Sequence, residues 1–96
     1  MVTFQFKQYG ENLGTRPLGK QVREQLLPLL QGEERVVLDF DGVGVVSNSF
    51  ADECIAKLLL YMPLDELKSR TTFHGLNSIA ADSVLTALQR RHMAMS

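Results

Sequence analysis

The stretch from Arg35 to Phe40 constrains this chain more than any other, because it is too β-branched and too short to be anything but a buried strand. It ends in Asp39-Phe40-Asp41-Gly42, where Asp41-Gly42 has the chemistry of a turn. Beyond it, Ser47-Asn48-Ser49 opens a helix whose apolar stripe is Phe50, Cys54, Ile55, Leu58 and Leu59. Ser49 is the expected cap, since Asp52 follows three positions later as a capping-box variant with aspartate in place of glutamate. Met62-Pro63 closes that helix.

The flanking segments repeat the alternation of strand and helix. Val2, Phe4 and Phe6 alternate with Thr3 and Gln5, the period of a strand buried on one face. Gly10 to Gly14 reads as a turn, and Thr15-Arg16-Pro17 as the start of a helix with proline in its first turn. Leu18, Val22 and Leu26 share one side of that helix, which should stop near Leu27 because Pro28 lacks an N–H and clashes with the preceding turn. Leu64 to Lys68 suits a short helical turn, and Thr71 to His74 a third strand. Asn77 or Ser78 then caps a last helix through Leu88, with Asp82 near its start and Arg90, Arg91 and His92 near its end. This order predicts an α/β fold: one small layer of about three to four strands packed with about three helices, in a single domain spanning residues 1–96.

Charge and composition narrow the function classes. With 96 residues, 45% hydrophobic content and a formal net charge of −1, the chain offers one small core and no overall field for nucleic acid or an anionic membrane. No basic start leads into a long apolar stretch, so the expected location is cytoplasmic. The one cysteine, Cys54, sits among apolar neighbours and is expected in the core. No metal or cofactor is expected. Asp39, Asp41, Asp52 and Glu53 could line one sheet edge and attract a hard cation, but Asp52 and Glu53 fall in a first helical turn, where acids complement the helix dipole. His74 and His92 lie in no ligand-like spacing, and Gly42-Val43-Gly44 lacks the third glycine and the lysine of a phosphate loop.

Two resemblances carry functional expectations. Asp39-Phe40-Asp41-Gly42-Val43 looks like the aspartate motif of haloacid-dehalogenase-type phosphatases, which would make Asp39 a nucleophile and Asp41 a general acid; the separate lysine and late acidic pair of that family have no match here. The longer stretch from Val37 through Ser49-Phe50-Ala51-Asp52-Glu53 is similar to the central signature of STAS domains, and closest to the STAS-like family whose pattern joins an Asp-Phe strand end to Ser-Phe-Ala-Asp-Glu. Gly14-Thr15-Arg16-Pro17-Leu18-Gly19 and Phe73 to Asn77 resemble further parts of that family.

The STAS-like resemblance implies a noncatalytic, intracellular bacterial regulatory domain that binds a partner protein, an ATPase or kinase-like regulator, under control of serine phosphorylation. It puts the usual phosphoacceptor position at Asn48, leaving Ser47 and Ser49 as candidate acceptors, and replaces the following glycine with Phe50. The expected partner-binding set is Asp41, Ser47, Asn48, Ser49, Phe50, Asp52 and Glu53, with Phe50 either a docking anchor or a core residue. Arg16 either orients the loop by bonding a carboxylate or a carbonyl, or is solvated.

Overall fold

A computed structural model describes residues 1–95. Its main sheet has three parallel strands in the order β1 (Val2–Gln5), β3 (Val36–Asp39), β5 (Thr71–His74). The register pairs Val2 with Val36 and Val36 with Thr71, so Phe4, Leu38 and Phe73 form one cross-strand row, and Gln5, Asp39 and His74 the next. A second, two-stranded parallel sheet joins β2 (Asn12–Leu13) to β4 (Val45–Val46). Parallel neighbours require a crossover, and here each crossover carries a helix. Helix α1 (Arg16–Leu30) joins β2 to β3, α2 (48–60) follows β4, α3 (Leu64–Arg70) precedes β5, and α4 (Ser78–Met95) follows it. The α/β architecture expected from the sequence is borne out.

Three local expectations are corrected. The first strand stops at Gln5, and Phe6–Tyr9 forms a 3₁₀ turn instead. The segment between Gly10 and Gly14 holds β2, whose Leu13 is fully buried; a two-residue strand with one apolar side chain is too short for any periodicity to reveal. Helix α1 continues through Pro28 to Leu30. The missing bond at Pro28 falls on the exposed side, where water can serve the freed carbonyl of Glu24, while Leu26 and Leu30 are both wholly buried and hold the helix down on either side of it.

The core combines Phe4, Leu38 and Val36 from the sheet with Val22, Leu26 and Leu30 of α1, Phe50, Ile55 and Leu58 of α2, and Val84 of α4. Four of the five phenylalanines gather at the carboxyl end of the sheet: Phe6 stacks on Phe40 with centroids 3.9 Å apart, Phe4 meets Phe6 edge-on at 5.0 Å, and Phe73 lies 6.2 Å from Phe40. This aromatic stack fixes where β3 ends and the chain turns toward α2. The turn itself is closed by the Val43 N–H donating to the Phe40 carbonyl at 2.9 Å, with Gly42 at φ 84°, the positive value a type II turn needs at its third position.

Helix α2 is irregular. It begins with an α-helical turn, Asn48–Phe50, widens to a π turn over Ala51–Ile55 and tightens to 3₁₀ over Ala56–Leu60. The π turn packs between α1 and α4 and bears the acidic pair Asp52-Glu53. Among the described residues, no helix is long and apolar enough to cross a membrane.

Candidate functional site

The β4–α2 junction is built around Ser47. Its Oγ accepts from the Phe50 N–H at 3.0 Å and donates to the Gly14 carbonyl at 3.0 Å, so one hydroxyl caps α2 and ties it to the loop before α1. This corrects the expected cap, which falls two residues earlier than Ser49, because Ser47 has the extended backbone of a capping residue. Ser49 is thereby released. It is half-buried, and its hydroxyl makes no hydrogen bond to any described residue, while Asn48 beside it is exposed.

Phe50 is 0% exposed and belongs to the core, so of its two expected roles the docking anchor is ruled out. It follows the cap directly and starts the apolar stripe, which points inward. Glu53, expected on the rim of a docking face, is only 6% exposed. Its carboxylate takes Arg23 Nη1 at 2.8 Å, Lys57 Nζ at 2.9 and 3.0 Å and Arg16 Nη1 at 3.4 Å, and Arg23 also donates to the Glu53 carbonyl. Burial pushes the Glu53 carboxyl up, but the bonds from Arg23 and Lys57 outweigh it and hold the group down at about 2.

Asp52 is half-buried and faces α4. Arg91 grips it through Nε–Oδ1 at 2.7 Å and Nη2–Oδ2 at 2.9 Å, and Arg16 Nη1 adds a bond at 2.8 Å. The Arg91 bonds, followed by those from Arg16 against the opposing cost of burial, keep its carboxyl far below the usual carboxylate range. Of the two roles open to Arg16, the structure shows the carboxylate-bonding one: it links the start of α1 to both acids of α2. The paired acids therefore tie α1, α2 and α4 together.

Asn48, Ser49, Asp52 and Arg16 line one cleft with Thr86 and Arg90 of α4. Asp41 does not join them. It lies in a separate cleft with Gln5, Lys7 and Asp39, where the Asp41 N–H donates to Asp39 Oδ1 at 2.9 Å. Asp39 thus closes the strand-end turn, and among the described residues no three His, Cys, Asp or Glu side chains converge as a metal would require. Cys54 is buried as expected, and burial pushes its thiol up.

The sequence reading missed Arg23, Lys57, Thr86, Arg90 and Arg91, and also Val45, which is 51% exposed beside the junction. Lys57 was within reach, four residues after Glu53 on one helix. The pairing of Arg91 with Asp52, 39 residues apart, leaves no local trace.

A family model described as a STAS-like domain of unknown function (DUF4325) matches residues 19–80, well over half of the chain, and the chain belongs to that family. The match covers the junction, Arg23, Glu53 and Lys57, while Arg16, Thr86, Arg90 and Arg91 lie outside it. No curated protein and no solved structure matches the chain.

Proposed function

We propose that residues 1–96 act as one noncatalytic regulatory unit of the bacterial cytoplasm, which docks a partner protein at the β4–α2 junction and releases it when Ser49 is phosphorylated. The observation that carries this reading is the division of labour between two neighbouring hydroxyls. Ser47 is spent on the cap and on Gly14, whereas the Ser49 hydroxyl has no partner among the described residues and lines a cleft beside exposed Asn48. Membership of a STAS-like family supports the regulatory class, and the resemblance of the junction to the STAS signature favours an ATPase or kinase-like partner.

The docking surface is smaller than the sequence alone suggests. Asn48, Ser49 and exposed Val45 form its centre, with Asp52 at its edge; Phe50 and Glu53 support it from inside. Phosphate on Ser49 adds a charge of about −1.5 to −2 at pH 7 to this centre, enough to change which surface a partner meets. Intact mass after incubation with the cognate kinase, followed by partner binding of the phosphorylated and Ser49→Asp proteins, tests the switch. Binding is expected to fall at least tenfold; unchanged binding overturns it. Metal-dependent phosphate hydrolysis abolished by Asp39→Asn would instead establish the phosphatase alternative.

A further inference from the structure

We infer that the cleft between the start of α1, the start of α2 and the middle of α4 is a receptor for a phosphoryl group, held by Arg16 and Arg90. The charge distribution points there first. Arg16, Arg23, Lys57, Arg90 and Arg91 bring five of the chain's ten basic side chains around the two acids Asp52 and Glu53, a local excess of three positive charges in a chain whose formal net charge is −1.

The division of those charges is uneven. Arg23 and Lys57 are consumed by Glu53, and Arg91 by Asp52. Arg90 lines the cleft and makes no hydrogen bond or ion pair with any described residue. Arg16 spends only Nη1 on its two carboxylates, and its side chain remains 51% exposed, so Nε and Nη2 are left for an incoming group. Asp52, the one acid among the described lining residues, is already neutralised by the two-pronged grip of Arg91. Asn48, Ser49 and Thr86 add neutral hydrogen-bonding groups to the same wall.

Size selects the ligand. The cleft holds about 240 Å³, below the roughly 300–1,000 Å³ of sites for drug-sized molecules. It suits a phosphoryl group better than a whole nucleotide, and paired guanidinium groups match the oxygens of a phosphate dianion. The group reaches the cleft either as a free phosphate or as the phosphate of a modified Ser49. Recognition of the free anion does not depend on the partner switch.

Titration of the ¹⁵N-labelled protein with inorganic phosphate against chloride at constant ionic strength reads the free source. Saturable shifts are expected at Asn48, Ser49, Thr86 and Arg90. Arg90→Gln, which breaks no bond to a described residue, should weaken phosphate binding about tenfold or more, as loss of one charge-assisted bond does, while Lys68→Gln on α3 should not. In the second arm, phosphoserine is installed at position 49 by semisynthesis and followed by ³¹P NMR. A phosphate held by the arginines titrates lower than free phosphoserine, and Arg90→Gln returns it. A response to Arg90→Gln in either arm supports the receptor and names its source; no response in both overturns it. Because neither arm uses a kinase or a partner, loss of the switch and loss of the receptor are read separately.

Discussion

At the scale of single residues, the most consequential assignment is between two serines two positions apart. The capping-box spacing to Asp52 favours Ser49, yet the backbone places Ser47 in the cap and leaves the Ser49 hydroxyl unpaired among the described residues. With Ser47 as the cap the third helical position is Phe50, so Asp52 completes no box, and its carboxylate bonds Arg91 and Arg16 instead. Ser47→Ala removes both the bond to Phe50 and the tie to Gly14, and is expected to lower stability by about 1–2 kcal/mol in chemical denaturation, the upper range for a lost cap. Ser49→Ala removes no side-chain bond to a described residue and should leave the midpoint of the same curve nearly unmoved. Equal losses for the two would reverse the assignment.

At the scale of elements, the irregular helix α2 governs how its neighbours approach. Gly19 of α1 is buried against it, and a Cβ added there would stand 2.9 Å from the Cβ of Glu53 and 3.3 Å from the Phe50 carbonyl. Gly19→Ala therefore forces α1 away from α2, at an expected cost of about 1–3 kcal/mol by denaturant unfolding, although alanine is the better helix former. The order of the long strands and helices was legible because each carries its own period or punctuation: Val36 to Phe40, the proline after Met62, Asn77 before α4. The irregular course of α2 and the short β2–β4 pair were not: the apolar stripe of α2 is that of an ordinary helix, and two-residue strands paired 33 positions apart are too short to show a period. The same holds for the site. The junction was visible as a motif, but Arg90 and Arg91 reach it only through the docking of α4.

At the scale of the whole molecule, the ionic network couples three helices and makes stability sensitive to acid. The Glu53 carboxyl is held at about 2 in the fold against an ordinary 4.5. The unfolded chain accordingly binds the proton first as pH falls, so the stabilisation is complete above about 4.5 and is lost as pH is lowered toward about 2. Asp52 acts in the same direction. Stability measured by urea unfolding should decline over this interval, and Glu53→Gln should flatten the decline while costing about 3 kcal/mol near neutral pH, as breaking a buried ion pair does. An unaltered pH profile in that variant would show that the Glu53 carboxylate is not a source of the acid sensitivity. The parallel ladders have a separate, kinetic consequence. Their partners lie 33 to 35 positions apart along the chain, so nothing in either sheet can zip from a hairpin. Each pairing waits for a long loop to close, which sets the speed of renaturation below that of a helical bundle of similar length.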